Sequence, residues 1–339
     1  MKRWVSIARG GLILGLVAGG GGLAASTAAD PGPLRVITAG RERYVTLRDF
    51  ASAYGFSLHG PSNRIIELGS QWTRIRFETN SRQVRYNGLL LWLHAPVVTV
   101  QKHWAITEAD ARKVLEPLLR KNALLRPQRA RVVVLDPGHG GQDRGARGKR
   151  GVEEKGIVLD IAKRARTHLA NAGLKVYLTR DTDRFIELED RAARAAAWGA
   201  DLFVSIHLNA AAASSARGIE TYVLAVPGYP PTAAAAGSKL ERLVFPGNRN
   251  DSINTILGYY LHKALMDKIG GTDRGLRRAR FVVLKRSTRP AVLVECGFLS
   301  NGTEESLMLN ALHREALALA IAKGILDYAS AIRAAQAAP

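Results

Sequence analysis

From Val132 onward, short apolar runs alternate with segments of helical periodicity, and this alternation restricts the fold more than any other feature of the chain. The runs are VVVLD, LKVYLT, LFVSIH, IETYVL, FVVL and AVLVE, each read as a strand. Between and after them, helices are expected over about Glu154–Ala172, Arg191–Trp198, Ile253–Ile269 and Thr303–Ala329. Strands that alternate with helices imply a mostly parallel twisted sheet with helices on both faces, an α/β fold. Active sites in such sheets collect at the carboxyl ends of the strands. The Ala/Gly/Pro-rich stretch Val226–Asn250 interrupts the pattern and reads as a long surface loop with room for a short helix.

The first third of the chain follows another rule. Between Leu34 and Leu119, short β-type runs such as LRVIT, RIIEL, RIRF and QVRYNG alternate with turns, and Asn87-Gly88 is a strong hairpin signal. One short helix is expected in YVTLRDFASAYGF, where Leu47, Phe50 and Tyr54 fall on one face. His59, His94 and His103 are dispersed through this stretch and form no ligand set. With 339 residues the chain is long enough for one sizeable core and a smaller companion. The expected division is a signal peptide over 1–29, a small β-rich accessory domain over 34–120, a basic linker over 121–131 and the α/β domain over 132–330.

The first thirty residues place Lys2, Arg3 and Arg9 around a short Gly-rich apolar run that ends in small residues at Ala25–Ala28, the pattern of an export signal. The run is shorter than the roughly 18 or more apolar residues that span a bilayer comfortably. The chain is therefore expected in the periplasm or cell envelope. The formal charge is +20, and losing those three cations with the signal leaves +17, enough for a positive field over much of the surface. An exported protein of that charge meets anionic wall polymers and lipid headgroups before it meets nucleic acid, which is not expected as a partner. The single cysteine, Cys296, excludes a disulfide framework, and with no histidine beside it in sequence it reads as a packed thiol rather than a nucleophile.

Several segment ends carry residues suited to a metal. VVVLDPGHGG puts His139 just past a buried strand, and LFVSIHLNA does the same for His207. GVEEKGIVLDIA sets Glu154 at the N-terminal edge of a helix, with Glu153 as its rival. Two imidazoles and one carboxylate are a standard set for catalytic Zn²⁺, which keeps a fourth position for water. AVLVECGFLSN delivers a further carboxylate, Glu295, from an apolar run where burial is costly without a partner or a task.

The blocks DPGHGGQDRGARG, EKGIVLDIA, LTRDTD, LEDRAARAAAWGADLFVSIHLNA, GIETYVL and RPAVLVECGFLSN occur in the order that marks one family. Over about Val132–Tyr328 the chain resembles the zinc N-acetylmuramoyl-L-alanine amidases. The resemblance implies one Zn²⁺ per catalytic domain held by His139, Glu154 and His207, so that Glu154 is chosen over Glu153, and it implies Glu295 as the catalytic acid–base residue. The expected reaction is hydrolysis of the amide between the lactyl group of N-acetylmuramic acid and L-alanine of the peptidoglycan stem peptide. Gly156 and Cys296 depart from the family pattern, and neither is a proposed ligand. Residues 34–120 loosely resemble the N-terminal repeat domain of copper amine oxidases and of wall-associated proteins; the segment is expected either to hold the enzyme to the wall or to a partner, or to act as a simple spacer. The partners expected are peptidoglycan, anionic wall polymers and an activator protein. Competing readings are a non-catalytic wall-binding protein and a zinc peptidase that cuts within the stem peptide.

Overall fold

The computed structural model describes residues 34–60, 62, 64–234 and 242–338. The expected export segment 1–29 lies outside the described residues, as does 235–241 of the expected loop.

Strands β1 (Ile37–Ala39) and β2 (Glu42–Thr46) lead into helix α1 (Leu47–Tyr54). Thr46 caps that helix by accepting from the Asp49 N–H at 3.0 Å, and the expected face buries Leu47 and Phe50. An antiparallel meander follows: β3 (Ser57–His59), β4 (Ile65–Gly69), β5 (Arg74–Glu78), β6 (Gln83–Tyr86) and β7 (Leu89–Trp92). Asn87 and Gly88, with φ of 50° and 86°, form the two-residue turn that pairs Tyr86 with Leu89. Strands β8 (Val98–Val100) and β9 (His103–Thr107) return to β2, giving a separate sheet of order β1-β2-β9-β8. Three short helices, α2 (Glu108–Asp110), α3 (Glu116–Leu119) and α4 (Lys121–Leu125), come next, with a π turn at Ala111–Leu115 after the first. The basic stretch expected as a linker thus begins as a helix whose Leu125 is fully buried.

The alternating pattern then unfolds in order: β10 (Val132–Pro137), α5 (Glu154–Asn171), β11 (Lys175–Leu178), α6 (Leu188–Ala197), β12 (Leu202–Asn209) and β13 (Ile219–Leu224). It continues with α7 (Asp251–Ile269), β14 (Asp273–Ala279), α8 (Val282–Arg286), β15 (Ala291–Phe298), α9 (Gly302–Leu309) and α10 (Ala311–Ala337). Eleven strands form one sheet in the order β11-β10-β12-β15-β13-β14-β7-β6-β5-β4-β3. Strands β11, β10, β12 and β15 run parallel to one another, and β13 runs antiparallel to β15. Alternate residues of β10 serve opposite faces. Val133 and Leu135 join the large core with Val158 of α5, Leu261 of α7 and Ile321 of α10, while Val134 joins a smaller core with Ala195 of α6 and Leu284 of α8. This is the α/β architecture expected, with helices on both faces.

Two expectations fail locally. FVVL, read as a strand, supplies helix α8, because a run of four apolar residues carries no period that separates a strand from a buried helical turn. The strand at this place is DRGLRRA, β14, whose four charged residues hide it. The single helix expected over Thr303–Ala329 is two, split at Asn310, whose extended backbone ends α9 and whose side chain caps α10 by accepting from the Leu312 N–H at 2.8 Å.

Strand β14 also joins the meander to the α/β sheet through the pairing of Leu276 with Leu91. Two side-chain bonds reinforce the join: the Trp92 indole donates to the Arg274 carbonyl at 2.9 Å, and the Leu90 N–H donates to Asp273 at 2.9 Å. Behind them lies a buried polar chain in which His94 Nδ1 meets Asp110 at 2.7 Å and Arg278 Nε donates to His94 Nε2 at 2.9 Å. Burial pulls the Arg278 guanidinium down to about 10. His59 and His103 are exposed.

Candidate metal centre and its surroundings

Parallel strands β10 and β12 are neighbours, so the loop after β10 and the end of β12 open at the same edge of the sheet. His139 sits in that loop with a left-handed φ of 61°, a conformation uncommon outside glycine. The turn holds because its carbonyls are gripped from below. Arg180 donates to the carbonyls of Pro137 at 3.0 Å and Gly138 at 2.6 Å, and Arg191 donates to those of Pro137 at 2.9 Å and His139 at 2.7 Å. Both arginines are buried. Arg191 is paired with buried Asp136 at 2.9 Å, which also accepts from the hydroxyls of Thr179 at 2.6 Å and Ser205 at 2.7 Å. The LTRDTD and LEDRAAR blocks supply these two arginines, whose supporting task sequence reading missed; an arginine among helical alanines is the signal that was available.

Glu154 opens α5 and is 2 % exposed. One carboxylate oxygen meets His139 Nε2 at 3.1 Å and accepts from the Ala146 N–H at 2.7 Å. The other meets His207 Nδ1 at 2.9 Å and accepts from the Leu208 N–H at 2.9 Å. Burial alone would raise this carboxyl's pKa, but the bonds to His139 and His207 outweigh it and hold the group well below the usual carboxylate range. The His139 ring, which burial would discharge, is held protonated to higher pH by Glu154 and Asp143. Glu153, the rival in sequence, precedes the helix without a capping bond and pairs instead with Arg144 at 3.3 Å and Lys155 at 3.7 Å.

One donor atom from each of His139, Glu154 and His207 lies within 4.8 Å of the other two. Asp143 Oδ2 occupies the far nitrogen of His139 at 2.8 Å, leaving Nε2 turned toward the cluster, the arrangement by which a second carboxylate orients a ligating histidine. Glycine is required around it. A Cβ on Gly138 would collide with the His207 ring, and one on Gly145 would stand 2.6 Å from both Glu154 Oε2 and His139 Cδ2. The donor set, two imidazole nitrogens and one carboxylate with space closed on the protein side, fits a zinc ion.

Glu295 lies one strand away. It pairs in register with His207 across β12 and β15, and with Glu220 across β15 and β13, so the three side chains share one face of the sheet. Its Oε2 is buried and has no hydrogen-bond partner. Burial first, then the nearby charges of Glu154 and Glu220, push its pKa well above the ordinary value. Glu220 is fully engaged, by contrast. It accepts from Arg274 at 2.6 Å, Arg277 at 2.7 Å, the Tyr222 hydroxyl at 2.7 Å and Asn209 at 2.9 Å. Sequence reading did not single out Glu220, although GIETYVL was among its blocks. Cys296 is 2 % exposed, and burial raises its thiol pKa, as befits a packed side chain.

The sequence profile described as N-acetylmuramoyl-L-alanine amidase matches residues 133–327. The chain belongs to the N-acetylmuramoyl-L-alanine amidase family. It is 39 % identical over 219 residues to N-acetylmuramoyl-L-alanine amidase AmiA of Escherichia coli (strain K12), an alignment covering 58 % of this chain and 76 % of that protein. The solved N-acetylmuramoyl-L-alanine amidase AmiC2 of Nostoc punctiforme superimposes with a TM-score of 0.50 at 32 % identity, covering 60 % of this chain and 99 % of the other. The CwlD amidase of Clostridioides difficile, solved in complex with the GerS lipoprotein, gives a TM-score of 0.50 at 28 % identity over 59 % of this chain and 98 % of its own. This amidase is therefore a hydrolase of peptidoglycan, and His139, Glu154, His207 and Glu295 all fall inside the matched span.

Proposed function

We propose that the protein is a zinc-dependent amidase of the cell envelope in which His139, Glu154 and His207 hold one Zn²⁺ and Glu295 carries the proton. The observation that supports this most directly is the meeting of three donors from well-separated segments beside a buried carboxylate oxygen with no internal partner. Zinc in such a site supplies Lewis acidity toward the scissile carbonyl and acidifies a water. Glu295 accepts the proton that the water loses and returns it to the amine of L-alanine as the amide opens. A carboxyl whose affinity for protons is raised by burial is suited to both halves of that transfer. Asp143 keeps His139 in the tautomer that presents Nε2, and Arg180 and Arg191 hold the loop that carries it.

The segment 34–120 serves as the accessory part that holds the enzyme to the wall or to a partner, in keeping with its resemblance to the N-terminal repeat named above. The formal charge of +20 suits anionic wall polymers, and the solved complex of CwlD with the GerS lipoprotein supports a protein partner, for which we propose an activating role. Export to the periplasm or cell envelope rests on the N-terminal pattern; among the described residues, no helix is long and apolar enough to cross a membrane. The test is a digest of purified sacculi by the zinc-loaded protein, with products identified by mass spectrometry. Free stem peptides beginning with L-alanine are expected, and new amino termini elsewhere in the stem would assign the protein to the peptidases.

A further inference from the structure

Strand β14 contains an irregularity that places two arginines where a regular strand would place one. Ile219 of β13 pairs with Asp273 and Thr221 with Leu276, so three steps along β14 match two along its neighbour. Residues an odd number of positions apart normally face opposite sides of a sheet, which would separate Arg274 from Arg277. The extra residue restores both to one side, and both guanidiniums bond to the same oxygen of Glu220, at 2.6 and 2.7 Å. The irregularity centres on Gly275, whose φ is +93° and where a Cβ would stand 2.9 Å from Leu90 and Trp92 side-chain atoms and 3.0 Å from the Leu90 carbonyl. Only glycine fits there, because β7 of the meander closes over it.

The arginines are not consumed by this contact. Glu220 is the only ion-pair partner of either among the described residues. Glu304, close enough for Arg274 to influence its charge, spends its oxygens on the N–H groups of Gly218 and Phe298. Arg277 Nε is buried without a partner, and the Arg274 side chain is one-third exposed. Aromatic rings lie against both guanidiniums, Phe298 at 4.9 Å from Arg274 and Trp92 at 5.0 Å from Arg277, which stiffens each and leaves edges for a planar anion. Glu220 is the register partner of Glu295, so this site adjoins the proton carrier.

We propose that Arg274 and Arg277, aimed together by the Gly275 irregularity and steadied by Glu220 and Trp92, form a carboxylate subsite for the leaving peptide, within a residue or two of its L-alanine. This rests on the amidase reading for the identity of the peptide, but the subsite can be measured without turnover. Trp92 belongs to the meander, so the accessory segment supplies part of the wall of this subsite.

The experiment compares two muramyl peptides that differ only in a free carboxylate or a carboxamide on the residue after L-alanine, and the two corresponding free dipeptides. The zinc-loaded enzyme is expected to favour the carboxylate substrate by about tenfold or more in kcat/KM, mainly through KM, and Arg274→Gln is expected to collapse that ratio. Calorimetry on the dipeptides should show the same preference and the same collapse, and Arg277→Lys, which keeps charge and bulk, should weaken it partially. Equal use and equal binding of the two forms by the parent enzyme, or a ratio that survives Arg274→Gln, would overturn the subsite. If neither substrate is cut while the carboxylate dipeptide still binds preferentially through Arg274, the subsite stands and the amidase reading fails.

Discussion

His207 and Glu295 occupy matching positions on adjacent parallel strands, so a proposed metal ligand and a carboxylate with an unpartnered buried oxygen stand side by side on one face of the sheet. Their separation is set by the spacing of the strands rather than by loop conformation. Each can be altered while the backbone that positions the other stays in place.

Glu295→Gln should therefore leave zinc bound at one per chain and remove hydrolysis by about 100-fold or more, the loss typical for a general acid–base group. Metal analysis alongside muropeptide release checks both halves. A variant that keeps full turnover would take Glu295 out of the mechanism.

Asp143→Ala removes the carboxylate that fixes the His139 ring at 2.8 Å. Zinc affinity should fall about 10- to 100-fold, with a smaller change in Tm because the Asp143 side chain is only half-buried. Chelator competition measures the affinity, and an unchanged value would mean that the ring needs no such support.

Two glycines separate backbone strain from crowding of the site. Gly145 and Gly151 have φ of +68° and +81°, so alanine at either costs about 1–2 kcal/mol. At Gly145 the added methyl meets Glu154 and His139, whereas at Gly151 its nearest neighbour is Arg147 at 3.7 Å. Gly145→Ala should lose zinc affinity as well as stability, and Gly151→Ala stability alone, as read by chelator competition and thermal melts.

The His94 chain makes stability depend on pH with a definite sign. Its Nε2 accepts from Arg278 and its Nδ1 faces Asp110, so the ring must be neutral, and burial, outweighing Asp110, lowers its pKa from 6.5. A group depressed in the folded state contributes fully above its unfolded pKa and loses that contribution as pH falls. Denaturant midpoints should thus drop as pH falls from about 7 to 5, and His94→Gln should be less stable at about pH 8 but flatter across that range. A parallel offset at every pH would show that His94 does not titrate in this window.

Much of the fold was legible because its signals are local. The apolar runs at Val132, Leu202 and Ala291 could only be buried strands once helices separated them, and Asn87-Gly88 announced its turn. Polar residues directly after such runs pointed to His139 and His207, a helix start offered Glu153 or Glu154, and only the family resemblance chose Glu154. What sequence could not convey was pairing between distant segments. Strand β14 hides behind Arg274, Arg277 and Arg278; Glu220 lies 54 and 57 residues from the first two, and His94 lies 184 residues from the third. For the same reason sequence reading did not mark Arg180 and Arg191 as the buried supports of the His139 loop. The meander looked separable because nothing in β7 reveals that its neighbour is β14.

The most direct test is anomalous diffraction at the zinc edge from crystals of the zinc-loaded protein. One strong peak is expected at about 2.0–2.2 Å from His139 Nε2, His207 Nδ1 and a Glu154 oxygen. A zinc-loaded crystal with no peak there, or with its peak on other side chains, would contradict the account.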